Sequence, residues 1–321
     1  MDIWINGSLI ADDKATVSVF DAGLQHGIGL FETMAACNGR CFRVEQHVDR
    51  LIKSASLLRL TDRLHAEPLV AAIQQAVDHS GLPSARVRLT VTGGNLNALQ
   101  RTGEGPQDPT IIIAAQPPTE YPESFFANGV AATLAPGRLN PWNVAAGHKT
   151  LDYWSRISAL QHAAAVGAGE SLWLTPDAHV ASGSVSNLFL ITGGVLITPP
   201  ARGEQEQGEL VPPILPGITR SVVLELASKA GLTTKMEMPT LDDLMGADEV
   251  FLTNSSWHVL PVTSLGLTVQ AETVDTEPEL RRHRIGEGEV GQITADLRAA
   301  ILECIEHETT NGGGDAMRIK T

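Results

Sequence analysis

The sequence predicts an α+β fold in two parts. Three observations carry this. Up to about residue 118, hairpin signals and alternating strands are interleaved with amphipathic helix patterns. Pro117-Pro118 then breaks the periodicity, as a connector does. Beyond it, short apolar strands dominate. The expected units are residues 1–118, a small N-terminal domain, and 119–308, a larger one that carries Lys149, with 309–321 as a tail without structure around Gly312-Gly313-Gly314. A chain of 321 residues, 43 % hydrophobic, holds enough apolar surface for two cores.

In the first part, Ile3 to Ile10 reads as a hairpin, because Asn6-Gly7 suits a two-residue turn. Gly23, Gly27 and Gly29 mark a tight backbone that leads into a strand. A second hairpin runs from Glu32 to Val44 around Asn38-Gly39. Val48, Leu51, Ile52, Ala55 and Leu58 recur at helical spacing, so residues 45–58 read as a helix. Residues 67–80 form a second one, with Pro68 near its start and Gly81 past its end. Residues 86–92 alternate as a half-buried strand, and 111–115 are apolar enough for a fully buried one.

In the second part, strands are expected at 130–134, 171–174, 179–181, 187–191, 195–198 and 249–254. Lys149 falls where a loop turns into a helix over 151–165. Residues 201–213 are rich in Glu, Gln and Gly and read as a solvated loop. Pro216-Gly217 precedes a helix over 221–230 that stops at Gly231, and 293–306 form a last helix.

The net charge of −14 argues against nucleic acid or an anionic membrane as partner. Three cysteines, Cys37, Cys41 and Cys304, are too few and unevenly placed for a disulfide framework, and no cluster has zinc-ligand spacing. No basic-then-apolar leader opens the sequence, and no apolar run approaches the roughly 20 residues that cross a bilayer. A cytoplasmic location is expected.

Three places look built to hold an anion. Gly217-Ile218-Thr219 opens a helix, whose free N–H groups and dipole favour negative charge. Ser255-Ser256 closes a strand with hydroxyls and N–H groups, and Arg50 lies off the apolar stripe of its helix. Each alone has a blander reading as a cap or a solvated charge. No GxGxxG or GxxxxGK[ST] motif supports a dinucleotide or a nucleoside triphosphate.

Together these places fall into a known order. The chain resembles the class IV aminotransferases, pyridoxal-phosphate enzymes of fold type IV. The carriers are Gly27-Ile28-Gly29-Leu30-Phe31-Glu32, His47-Val48-Asp49-Arg50-Leu51, Lys149-Thr150-Leu151-Asp152-Tyr153, Ser184-Val185-Ser186-Asn187-Leu188-Phe189, Leu215-Pro216-Gly217-Ile218-Thr219-Arg220 and Thr253-Asn254-Ser255-Ser256. The resemblance spans nearly the whole chain. It implies a small N-terminal α/β domain, a larger C-terminal domain with a β-barrel-like core, pyridoxal 5'-phosphate between them, and a homodimer.

By that resemblance Lys149 forms the Schiff base with the cofactor and later moves the Cα proton. Arg50, Gly217, Ile218, Thr219 and Ser255 correspond to phosphate ligands, and Ser182, Ser186 and Asn187 to further cofactor-binding positions. Phe31, Arg88, Tyr153, Ser256 and Trp257 correspond to positions facing an amino acid or 2-oxo acid substrate, with Glu32, Trp154 and His258 near them. Arg88 reads equally as a carboxylate grip or a surface strand charge.

One residue departs from the pattern. The family's glutamate, which keeps the pyridine nitrogen protonated, is Ser182 here, in Ser182-Gly183-Ser184-Val185-Ser186-Asn187. A serine cannot hold a pyridinium by charge, so the electron sink weakens. Another carboxylate could reach the nitrogen; the reaction could be an elimination, as in aminodeoxychorismate lyase, which releases pyruvate and 4-aminobenzoate; or the site could be a weakened, cofactor-binding one. The expected activity is transamination between an amino acid and a 2-oxo acid, with the lyase as alternative.

Overall fold

The computed structural model describes residues 1–95, 108–269 and 279–310. Among the described residues, the chain divides into two compact units, one within 1–119, 148–152 and 302–310, the other within 120–147 and 153–301.

The first unit contains β1 (Asp2–Ile5), β2 (Ser8–Ala11), α1 (Ala22–His26), β3 (Gly29–Cys37), β4 (Arg40–Cys41), α2 (Val44–Leu57), α3 (Ala66–Ser80), β5 (Ser84–Thr92) and β6 (Ile111–Gln116). Its sheet is antiparallel throughout, in the order β2-β1-β6-β5-β3-β4. The two hairpins turn where Asn-Gly pairs supply positive φ, 45° and 96° at Asn6-Gly7 and 52° and 75° at Asn38-Gly39. Helices α2 and α3 cover one face. Val48, Leu51 and Ala55 of α2 and Leu69, Ile73 and Val77 of α3 pack on Leu30, Met34, Val87, Leu89, Val91 and Ile113. Each fully buried Leu or Ile in such a core contributes about 1.5–3 kcal/mol of transfer free energy.

The second unit contains α4 (Glu123–Ala127), β7 (Val130–Arg138), α5 (Trp154–Ala165), β8 (Glu170–Leu174), β9 (Val180–Gly183), β10 (Asn187–Thr192), β11 (Val195–Thr198), α6 (Ile218–Lys229), β12 (Thr234–Met236), α7 (Leu241–Met245), β13 (Glu249–Asn254), β14 (His258–Val269) and β15 (Glu279–Arg284). Strands β10, β13, β14, β7, β8 and β9 pair in sequence, and β9 pairs back to β10, which closes a six-stranded barrel. Closure leaves those strands without a free edge. Strands β11 and β12 extend the sheet from β10, and β15 pairs with β14. The last helix, α8 (Gln292–Thr310), starts where Glu249 accepts the Ile293 and Thr294 N–H groups at 3.1 and 2.8 Å.

Several elements differ from the sequence reading. β14 is hidden by Pro261, which removes a ladder donor; Pro261 lies opposite Phe251 beside a register shift between Val262 and Ser264. α4, α7 and β12 are too short for a periodic signal. α6 begins at Ile218 rather than 221, and α5 at Trp154 rather than 151. The tail expected from 309 lies outside the described residues from 311 on, while Thr309 and Thr310 complete α8. Arg220 reaches into the 201–213 loop and ties Glu204 by two hydrogen bonds of 2.8 Å. Among the described residues no helix is long and apolar enough to cross a membrane.

Candidate active-site residues in each unit

In the first unit the site begins with a close backbone approach. Phe31 N–H donates to the Lys149 carbonyl at 3.0 Å and Leu151 N–H to the Gly29 carbonyl at 3.0 Å, with Leu30 bridged to Thr150. Residues 149–151 therefore lie as an extended strip along the start of β3. Gly29 permits it, because a Cβ there would stand 2.6 Å from Leu151 Cδ1 and 2.7 Å from the Val91 carbonyl. Lys149 thus sits on this strip and not at a helix start. Three extended residues give no periodic signal, so nothing in the sequence separates the strip from the helix that follows.

Alternation along β3 separates Phe31 from Glu32. Lys149 Nζ is 4.3 Å from the Phe31 ring centroid, and Arg88 Cζ is 3.9 Å from it. Arg88, on β5, also donates from Nε to Thr90 Oγ1 at 3.2 Å. His148, beside Lys149, has its Nδ1 in hydrogen-bond contact with Ser54 Oγ at 2.9 Å.

Glu32 points the other way, under α2, and is buried. Arg50 Nε donates to its Oε1 at 2.8 Å, and His47 Nδ1 lies 2.8 Å from Oε2. Burial pushes the Glu32 carboxyl up, but the Arg50 charge and the His47 hydrogen bond outweigh it and bring the pKa to about 2. Burial holds the His47 imidazole below its ordinary value. Arg50, predicted as an anion grip, is therefore oriented by a carboxylate already spoken for. The His47-to-Arg50 spacing of three residues on one helix face is the sequence signal for this triad.

In the second unit, α6 opens at Gly217 with no side-chain cap. The N–H groups of Ile218, Thr219 and Arg220 have no acceptor within the helix, whose first bond is Ser221 N–H to the Gly217 carbonyl at 2.9 Å. Asn187 Nδ2 donates to the Leu215 carbonyl at 2.9 Å, and its Oδ1 fills the space where a Cβ on Gly217 would go. Asn187 hence shapes this helix start. An uncapped donor cradle of this kind fits an anionic phosphate. Arg220 is turned away into its pair with Glu204.

The β13–β14 corner is organised by Asn254, whose Oδ1 accepts the Ser256 and Trp257 N–H groups at 2.8 and 3.0 Å. The Ser256 N–H is thereby committed. Trp257 is buried edge-on against Tyr121, 5.6 Å between centroids. Ser255 flanks the same corner.

Ser182, on β9, is buried, lies opposite Trp173 of β8 and Asn187 of β10, and donates its hydroxyl to the Gly183 carbonyl at 3.0 Å. Sequence reasoning missed Glu170. It is wholly buried and accepts from Ser171 N–H, Ser184 N–H, Val185 N–H and Ser186 Oγ at 2.9, 3.1, 3.3 and 2.9 Å. Ser186 is thus turned toward Glu170. Burial raises the Glu170 pKa against those hydrogen bonds. Tyr153 immediately precedes α5, with the Arg156 guanidinium 5.8 Å from its ring centroid.

Comparison with known proteins adds to this geometry. The family described as Amino-transferase class IV matches residues 29–265. A putative branched-chain-amino-acid aminotransferase of Methanocaldococcus jannaschii is 34 % identical over 266 residues, covering 82 % of this chain and 87 % of the relative. D-alanine aminotransferase of Bacillus licheniformis is 29 % identical over 311 residues, 96 % and 99 % of the two chains. A solved branched-chain amino acid aminotransferase from T.th., with pyridoxamine 5'-phosphate, superposes with a TM-score of 0.80 at 28 % identity, covering 98 % and 96 %. The 4-amino-4-deoxychorismate lyase of Pseudomonas aeruginosa does so at 0.75 and 26 %, covering 94 % and 98 %.

Proposed function

The chain belongs to the class IV aminotransferases and is a pyridoxal-phosphate-dependent transaminase, and on that premise we propose which of its residues do the work. Bound pyridoxal phosphate supplies an aldehyde for the amino group and a ring that draws electron density from Cα. Lys149 would hold the cofactor through its amine and would serve as the base that moves the proton at Cα. The N–H groups of Ile218 and Thr219, with Arg50 and Ser255, hold the phosphate. Gly217 and Asn187 keep that helix start open. Ser182 would be the residue that meets the ring nitrogen.

The observation that supports this reading most is the uncapped start of α6, kept clear by Gly217 and Asn187. An anion satisfies helix-start N–H groups of that kind directly, by hydrogen bonds and by the dipole together. Arg88 and Phe31 are the substrate-facing pair on the first sheet, with Arg88 as the carboxylate grip, and Tyr153, Ser256 and Trp257 are the further substrate residues.

The chain acts in the cytosol as a homodimer. Exposed Val19, Phe20 and Leu24 around α1 form an apolar surface of the kind that a second copy covers. The test is a half-reaction. An amino acid added to the loaded protein should yield pyridoxamine phosphate and one equivalent of 2-oxo acid, and a second oxo acid should reverse it. Pyruvate and 4-aminobenzoate released from aminodeoxychorismate, with no pyridoxamine phosphate, would instead mark the lyase.

A further inference from the structure

This inference rests on the proposed placement of Ser182 opposite the cofactor's ring nitrogen, and concerns the charge around it. Arg156, on α5, donates from one guanidinium nitrogen to the carbonyls of Gly183 and Ser184, each at 3.1 Å. The Gly183 carbonyl also accepts the Ser182 hydroxyl at 3.0 Å. Arg156 and Ser182 therefore share one acceptor. Arg156 is further placed by Trp173, whose ring centroid lies 5.8 Å from Cζ.

The carboxylate that could have replaced the missing glutamate is committed elsewhere. On β8, Glu170 and Leu172 point to one face and Ser171 and Trp173 to the other, and Ser182 pairs with Trp173. Glu170 thus lies on the face opposite Ser182, with both oxygens filled by four donors. On Ser182's own face, β8, β10 and α5 bring Trp173, Asn187 and Arg156, while the Glu170 carboxylate meets Gly183 of the same strand from the other face. The charged group beside Ser182 on its own face is a cation.

We propose that Ser182 and Arg156 together keep the ring nitrogen of bound pyridoxal phosphate unprotonated. Because Arg156 satisfies the Gly183 carbonyl, the Ser182 hydroxyl is free to turn its proton toward a neutral nitrogen without stranding a buried acceptor. A pyridinium would add a second positive charge on the side of Ser182 that the half-buried Arg156 guanidinium already serves. Arg156 acts through Ser182 and through its charge, so it is a positioning residue. A neutral ring is a weaker electron sink, so it draws less charge from Cα than a pyridinium would.

The experiment loads the full-length protein with pyridoxal phosphate labelled with 15N in the ring and follows the nitrogen shift by NMR from pH 5 to 9. Wild type and Arg156→Lys should show a neutral nitrogen at pH 7. Ser182→Glu should show a protonated one. Arg156→Gln should raise the pH of half-protonation by about one unit, bringing it into that range. A protonated nitrogen in wild type, with cofactor held on Lys149, would overturn the inference and leave the proposed function standing. An Arg156→Gln nitrogen that stays neutral throughout, in a protein that still melts cooperatively, would show that Arg156 only braces the turn and would overturn its part. A chain that takes up no pyridoxal phosphate would overturn the proposed function and this inference with it.

Discussion

Lys149 and Phe31 are joined twice, by the Phe31 N–H on the Lys149 carbonyl at 3.0 Å and by the Lys149 ammonium 4.3 Å from the Phe31 ring centroid. The backbone bond fixes where the lysine leaves the chain, and the ring fixes where its amine rests. Arg88 shares that ring, so one aromatic side chain balances two cations.

Replacing the ring should therefore loosen both. Phe31→Leu loses a cation–π contact of about 1 kcal/mol, and the single-turnover rate of the first half-reaction should fall roughly fivefold. Phe31→Tyr, which keeps the ring face, should stay close to wild type. Rapid-mixing absorbance of the cofactor reads both.

Glu32 is the buried anchor of Arg50 and His47. Glu32→Ala leaves the Arg50 cation against an empty space and should cost about 3–5 kcal/mol in urea unfolding. The pH dependence follows from its depressed pKa. A carboxyl at about 2 when folded and 4.5 otherwise stabilises the fold fully above the higher value. That contribution is lost as pH falls from about 4.5 to 2. Glu32→Ala should flatten this part of the stability profile.

How much of this is legible in the sequence depends on range. Asn6-Gly7, Asn38-Gly39 and the apolar stripe of α2 are local signals, and the structure places turns and helix where they predict. Lys149 and Gly217 emerge through the order of motifs around them. Glu170 and Arg156 do not, because their meaning lies in pairings across strands and helices, and the Glu32 triad shows only its His47-to-Arg50 half. Glu170 meets Ser186 sixteen residues away, and Arg156 meets Gly183 twenty-seven away. β14 escapes for the opposite reason, since Pro261 sends a local signal that the barrel overrides.

Gly217→Ala tests the phosphate cradle. The added Cβ strikes Asn187 Oδ1, so the amide must move and release Leu215. Affinity for pyridoxal phosphate should fall about tenfold or more, by the loss of one or two charge-assisted hydrogen bonds. The apoprotein should melt within a few degrees of wild type. Equilibrium dialysis and a melting curve separate the two effects.

His258 gives a second pH signature. Burial, and then the Arg298 charge, hold its imidazole down at about 4 against an ordinary 6.5. The unfolded chain takes up the proton first, so stability falls as pH drops from about 6.5 to 4, by about 3 kcal/mol. His258 has φ of 63°, which asparagine tolerates. His258→Asn should remove that slope, as denaturant midpoints at pH 7 and pH 4.5 would show.

The central claim is that Lys149 is the cofactor lysine. Borohydride reduction of the loaded protein, followed by peptide mapping, tests it most directly. The account predicts a phosphopyridoxyl group on the peptide containing Lys149, and neither label nor pyridoxamine phosphate formation in Lys149→Ala. A label on another lysine, or turnover retained in Lys149→Ala, would contradict it.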